Sequence, residues 1–151
     1  YAASFDLFTP DAGELAYLAD EKAPHPFYTR GFILHTDNDI PDLIKRAYQH
    51  NNAATNFLVK GATDYIANKD GIIAAVDSPS IIEMEPIGGT GDTLTGIASA
   101  LVACGMDIPS AATKAARINR LAGCFAQPTP ATQVHSIIKQ IPHALDEVLS
   151  N

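Results

Sequence analysis

The chain has 151 residues, of which 46% are hydrophobic and 18% charged, ordinary values for one globular domain or a large part of one. Seventeen acidic against ten basic side chains give a net charge of −7, and no run of Lys or Arg interrupts it, which argues against a nucleic acid or an anionic membrane surface as partner. The apolar runs are too short to span a bilayer and no charged-then-apolar leader is present, so no membrane association and a cytoplasmic location are expected. A local phosphate site survives these exclusions, because backbone amides build one without net positive charge.

In chain order, "FDLF" (Phe5 to Phe8) predicts a short strand ending in Thr9-Pro10, and "DAGELAYLAD" a helix with Leu15 and Leu18 on one face. Residues 21 to 31 hold Pro24, Pro26 and Gly31 and read as a loop, followed by a strand over Phe32 to Leu34. "DNDIPDLIKRAYQHN" offers an N-cap from Asp37 to Asp39, Pro41 in the first turn, and Leu43, Ile44 and Ala47 facing inward. "TNFLVKG" predicts a buried strand ending at Lys60-Gly61, and Lys69-Asp70-Gly71 sits between two strand-like runs as a hairpin signal. Three helical stretches close the chain, from about Asp92 to Cys104, Ile108 to Ala126 and Thr132 to Leu149, with a break or a new first turn at Pro142. The order predicts a layered α/β fold with a partly parallel sheet.

Cys104 and Cys124 lie in Ala-rich helical patterns without metal-ligand spacing and are expected in the core. The histidines at 25, 35, 50, 135 and 143 lack the i, i+4 spacing of a helical zinc site, so no structural metal is expected.

The informative stretch is "PIGGTGDTLTGIASALVACG", residues 86 to 105. It reads as a strand end, a glycine turn and a helix anchored by Leu94, Ile97 and Leu101. The first turn of a helix has amides without internal partners and carries a partial positive charge. Gly88, Gly89 and Gly91 remove the Cβ atoms that would hold a phosphate away from those amides, and Thr90 adds a hydroxyl donor. Asp92 admits two readings. As a base it would take the proton of a hydroxyl attacking phosphorus; otherwise it is the N-cap of a helix with a glycine-rich entry.

"GGTGDTLTGIASALVACGMD" closely resembles the GGxGDxLxG signature of the ribokinase-like superfamily, above all its ADP- or ATP-dependent NAD(P)H-hydrate dehydratase branch. "LFTPDAGELAYL" is similar to the branch's T-P-H-P-G-E, "FLVKGATDYIANKDG" to its L-K-G-x-x-T-x-I followed by a D-G hairpin, and "INRLAG" to its L-H-G-L-A-G helix. The resemblance runs from about residue 5 to residue 126 and matches the carboxy-terminal half of the family domain. It therefore implies a layered α/β/α, Rossmann-like fragment, its nucleotide-binding half, whose other half comes from a longer protein or a complementary chain. Apolar faces meant for that half are expected to be exposed on strands 5 to 8 and 56 to 59, giving a homo-oligomer or a paired chain.

Position by position, the resemblance makes Asp92 the aspartate at the reacting hydroxyl and Gly88, Gly89, Thr90 and Gly91 the anion hole. Lys60, Gly61, Ala62, Thr63 and Asp64 match the stretch that lines the adenine-nucleotide site; the alternative for Lys60 is a solvated strand end. Glu14 matches an acidic residue that organises Mg²⁺ through water, and it could equally be a first-turn Glu favoured by the helix dipole. Asp11 stands where the branch has His, and Asn119 with Arg120 where it has His-Gly. Asp11 and Asn119 are thereby candidate substrate contacts, Asp11 as an acceptor that cannot donate.

The implied reaction is the repair of hydrated NADH or NADPH: phosphorylation of the ring hydroxyl from ADP or ATP, then loss of phosphate. A small-molecule kinase acting on a vitamin precursor or sugar shares the first step and remains an alternative, as does a non-catalytic adenine-nucleotide-binding module.

Overall fold

The computed structural model describes residues 2–20 and 39–150. They fall into two compact units, Tyr1–Ala75 and Val76–Asn151. The expected strand over Phe32 to Leu34 lies outside the described residues, as do Asp37 and the neighbouring loop.

The first unit carries β1 (Leu7–Phe8), α1 (Ala12–Ala19), α2 (Ile40–Gln49), β2 (Asn56–Val59) and β3 (Asp64–Asn68), and β4 (Gly71–Val76) runs to its boundary. The sheet order is β1-β2-β3-β4. β1 lies parallel to β2, with Leu7 opposite Asn56 and Phe8 opposite Phe57, and β3 returns antiparallel to β2. The fold is thus mixed α/β, as the alternating pattern predicted.

β1 is shorter than the expected Phe5 to Phe8. The Phe5 amide turns back to the Ala2 carbonyl at 3.1 Å, closing a 3₁₀ turn over Ala2–Ser4, so residues 5 and 6 offer their carbonyls to Thr55 and Asn56 without extending the strand. The hairpin between β3 and β4 forms as expected. Asn68 Oδ1 accepts the Asp70 amide at 2.8 Å, and Gly71 follows with φ +128°, a conformation suited to glycine.

The core of this unit is one cluster in which Leu15 and Ala19 of α1 and Leu43, Ile44 and Ala47 of α2 pack on Phe57 and Val59 of β2 and Ala67 of β3. α2 begins at Ile40 with Asp39 at the cap position and Pro41 in its first turn, so the inward set predicted for it is the buried one. Every residue of β2 is buried, against the expectation that 56 to 59 would expose an apolar face. The reason is its place in the sheet: β2 has a hydrogen-bonded neighbour on both sides and receives α1 and α2. The large apolar side chains left in solvent in this unit are Phe5, within the expected 5 to 8, Tyr17 of α1, and Ile72 and Ile73 of β4 at 43% and 46% exposure.

In the second unit a 3₁₀ turn (Ile82–Met84) leads to α3 (Thr90–Ala103), α4 (Ile108–Ala126), α5 (Val134–Ile138) and α6 (Ile141–Leu149). No strand precedes the glycine turn, contrary to the sequence reading. Between Pro79 and Pro86 the amides of Met84 and Glu85 bond to the carbonyls of Ile81 and Ile82, three residues back, so the segment satisfies itself without a sheet neighbour. The last predicted helix divides at residues 139 and 140, and Pro142 stands in the first turn of α6, where its missing amide costs nothing.

α3 buries Leu94, Ile97, Ala98 and Leu101. The face of α4 carrying Ala111, Ala112, Ala115, Ala116 and Ala122 is fully buried, small side chains permitting close helix packing. The two cysteines are not core residues. Cys104, one position beyond the last residue of α3, is its C-cap and exposed, and Cys124 is half-buried.

Candidate functional site

The candidate residues form two groups, one in each unit. In the second unit α3 begins at Thr90, and Gly89, with φ +97° and ψ −6°, occupies the N-cap position without a side chain to cap it. Asp92 is therefore the third residue of the helix, and its reading as the N-cap is corrected. Its side chain is exposed, and among the described residues none donates a hydrogen bond to it.

Of the other helices, α2, α5 and α6 also start without a side-chain cap, and two have one. α1 is capped by Asp11 and α4 by Asp107, whose Oδ1 accepts the Ser110 amide at 3.0 Å; that bond holds the Asp107 carboxyl below the usual range. At α3 no carboxylate claims the first-turn amides, so they are left for an external acceptor.

The glycines of the turn differ in what they do. A Cβ at Gly89 would need the left-handed conformation and would lie 3.3 Å from Val134 Cγ2, so this glycine is required by the backbone and by α5. A Cβ on Gly88 would meet nothing within 4 Å. Its bareness leaves open space beside the turn. The Thr90 hydroxyl, expected to face a ligand, donates to the Ile87 carbonyl at 3.2 Å, so its proton closes the turn. Behind the turn, Gly123 of α4 makes room for Met84; a Cβ there would collide with the Met84 sulfur.

Asn119 is not placed as a free substrate contact. It is 6% exposed, and its Nδ2 donates to the Thr90 carbonyl at 3.2 Å. The Thr93 hydroxyl lies 2.7 Å from both Asn119 Oδ1 and the Thr90 carbonyl. Thr93 escaped the sequence reading. The signal for it was a lone amide among the alanines of α4, since a buried amide demands polar partners on the facing helix. Arg120 is also buried, at 8%, with Nη1 3.5 Å from the Pro79 carbonyl.

In the first unit Asp11, Glu14 and the segment from Lys60 to Asp64 gather at the carboxyl ends of the parallel strands β1 and β2. This is the end of a parallel sheet at which ligands are held in open α/β folds. Asp11 and Lys60 are bridged as strand partners, and the Lys60 amide donates to the Pro10 carbonyl at 2.8 Å. Asp11 and Glu14 form a reciprocal capping box: Asp11 Oδ1 accepts the Glu14 amide at 2.8 Å, and Glu14 Oε2 accepts the Asp11 amide at 2.9 Å.

The box gives both carboxylates a structural task and leaves Oε1 of Glu14 outside it. One such oxygen suits Mg²⁺, which binds through one or two carboxylates together with phosphates and water. Among the described residues no three His, Cys, Asp or Glu side chains cluster as metal ligands.

Asp64 is turned inward, 4% exposed, and its Oδ1 accepts the Gly61 amide at 3.1 Å. It clasps the loop from the inside, whereas Gly61 and Ala62 are exposed and Lys60 and Thr63 half-buried. The segment thus presents a backbone surface with one flexible cation. Among the described residues no helix is long and apolar enough to cross a membrane.

Residues 4–143 match the family described as NAD(P)H-hydrate dehydratase. An uncharacterised protein of Methanocaldococcus jannaschii is 47% identical over 146 residues, covering 96% of this chain and 63% of that protein. The ADP-dependent (S)-NAD(P)H-hydrate dehydratase of Cenarchaeum symbiosum is 34% identical over 121 residues, 80% of this chain and 37% of that protein. A bifunctional NAD(P)H-hydrate repair enzyme of Hyperthermus butylicus is 36% identical over 91 residues, 59% of this chain and 16% of that protein. The chain spans less than two thirds of the length of each of these relatives. With its four motifs in order and most of its length matched, the chain belongs to the NAD(P)H-hydrate dehydratase family.

Proposed function

We propose that the complete protein repairs hydrated NADH or NADPH, using ADP or ATP as phosphoryl donor, with Asp92 as the general base. The observation that carries this reading is the start of α3: an exposed carboxylate without a described partner, on a helix whose cap position is a bare glycine. A carboxylate beside a polyphosphate is repulsive. It is useful there when it accepts a proton in the step that moves the phosphoryl group.

In the reaction, the hydroxyl on the hydrated nicotinamide ring attacks the terminal phosphorus of the donor and its proton passes to Asp92. The amides at Thr90, Gly91 and Asp92 hold the transferring oxygens, where fixed donors stabilise developing charge. The C–O bond then breaks with its electrons leaving on phosphate, a better leaving group than hydroxide. The ring nitrogen lone pair stabilises the resulting cation, and loss of a proton from the neighbouring carbon restores the double bond. Within the first unit, the resemblance assigns Lys60, Gly61, Ala62 and Thr63 to adenine-nucleotide binding and Glu14, through its free oxygen, to Mg²⁺, which would shield phosphate charge.

The names of two relatives support the substrate, and one of them supports ADP. The test is product analysis of the complete protein given hydrated NADH with ADP or with ATP. Inorganic phosphate together with the absorbance of reduced nicotinamide is expected. A stable phosphomonoester would instead identify a kinase, and nucleotide binding without turnover a non-catalytic module.

A further inference from the structure

We propose that Thr93 and Asn119 are positioning residues that fix the Gly91 amide, and with it the anion-binding geometry of the glycine turn, through the carbonyl of Thr90. This rests on the reading of the turn as the phosphoryl site. The Thr90 carbonyl and the Gly91 N–H belong to one planar peptide unit and point in opposite directions. Whatever holds the carbonyl therefore aims the amide.

The carbonyl is held from two sides. Asn119 Nδ2 donates to it at 3.2 Å, and the Thr93 hydroxyl sits 2.7 Å from it and from Asn119 Oδ1. With both acceptors at 2.7 Å, the single Thr93 proton is shared between Asn119 Oδ1 and the Thr90 carbonyl, whose second lone pair is open to it beside the Asn119 bond. The amide is thereby locked at both ends, and burial at 6% exposure gives it no water to turn toward.

The turn needs such a lock. Gly88, Gly89 and Gly91 give it a backbone with little intrinsic stiffness, and a first-turn peptide has fewer helical bonds than an interior one. A fluctuating donor is a poor stabiliser of transition-state charge, because it must reorganise when the charge develops. Asn119 projects from α4, which is anchored through its buried alanine face, so the lock ties the turn to a second helix.

The test uses the complete protein, isotopically labelled, as parent and as the Thr93→Val, Thr93→Ser and Asn119→Ala variants. Thr93→Val keeps shape and branching and loses the hydroxyl. In Thr93→Val and Asn119→Ala the order parameter of the Gly91 amide should drop from about 0.85 toward 0.6. Affinity for ADP and for inorganic phosphate should weaken roughly 3- to 10-fold, the worth of about one net hydrogen bond, while affinity for adenosine, which has no phosphate, stays at the parent value. Turnover should fall roughly 10- to 100-fold in kcat, as small displacements of reacting groups do, and Thr93→Ser should restore all three.

An unchanged Gly91 order parameter, or equal losses for adenosine and ADP, would overturn the proposal and leave Asn119 as an ordinary core contact. The amide and phosphate readouts do not need the reaction. A parent that binds ADP but turns over no hydrated nicotinamide, with the Gly91 amide still loosened in the variants, would sink the proposed reaction and uphold the lock.

Discussion

The two adjacent glycines at 88 and 89 separate folding from function, and an alanine at each position reads them independently. Gly89 has φ +97°, where a residue with a Cβ is destabilised by about 1–2 kcal/mol. Its Cβ would also lie 3.3 Å from Val134 Cγ2 and 3.5 Å from Cγ1, close enough that α5 must shift by a few tenths of an ångström. Gly89→Ala should therefore lower Tm by roughly 2–8 °C for a domain of this size. Val134→Ala in that background should recover the contact portion and not the backbone portion.

Gly88 is different on both counts. It is not among the glycines with positive φ, and a Cβ there meets open space. Gly88→Ala should leave Tm unchanged or raise it by the equivalent of up to about 1 kcal/mol, through the stiffer unfolded chain. Its methyl would nevertheless occupy the space through which a phosphate approaches the first-turn amides. ADP affinity is expected to fall roughly 10-fold or more, about 1.4 kcal/mol. Thermal melts and nucleotide titrations on the complete protein provide the comparison. Parent-like ADP affinity in Gly88→Ala would refute the assignment of the open side as the phosphate face, whatever the melts show.

Asp92→Asn in the complete protein should lose roughly 10²- to 10⁴-fold in turnover while ADP binding stays equal or improves slightly, because the change keeps size and removes basicity; steady-state rates near the parent's would remove Asp92 from the chemistry. Gly123→Ala should cost about 1–3 kcal/mol, since Met84 must leave its seat on α4, and a chemical denaturation curve matching the parent's would show that the 3₁₀ segment yields freely. Tyr48, half-buried against Phe57 at a ring distance of 5.3 Å, has its phenol pushed up to about 12 by burial. The folded pKa lies above the unfolded value of 10.0, so this contribution to stability is complete below pH 10 and is lost as the pH rises through about 12. Tyr48→Phe should flatten the alkaline decline of Tm, and identical alkaline profiles would discard that cause.

The sequence was most legible where local chemistry decides structure. The Asp70-Gly71 hairpin and the prolines at 41 and 142 all stand where their backbone requirements place them. It was least legible where a residue's role depends on a distant partner. Ile82 to Met84 has strand-like composition, but no strand is available to it, and local bonds take its amides. β2 resembles a strand awaiting a missing neighbour, yet β1, β3 and the two helices already enclose it. At the site, the resemblance pointed to the glycine turn and Asp92 and offered Asn119 as a substrate contact, but spacing along α4 says nothing of which carbonyl lies opposite. The contact with Thr90 spans 29 positions in the chain.

The fate of the carboxylates gives the strongest argument for where the chemistry lies. Asp11 and Glu14 exchange bonds with each other's backbone, Asp64 clasps the Gly61 amide, and Asp107 takes the amide of Ser110. Each stabilises a turn or a helix start and is engaged by an amide while doing so. Asp92 stands at an equivalent place, in the first turn of a helix, where an acidic side chain is also favoured by the dipole. Asp42, at the same position of α2, is paired with Arg46 instead of an amide, whereas no described group claims Asp92, and the residue that would cap its helix is glycine. The helix forgoes a cap of the kind α1 and α4 possess, worth typically about 1 kcal/mol. The stability missing there is compensated from behind, by the Asn119 and Thr93 bonds to the Thr90 carbonyl and by Val134 against Gly89. A turn braced on its inner side and bare on its outer side is a poor solution for stability alone. It is the arrangement needed when the outer side must receive a phosphoryl group and a base must stand free beside it.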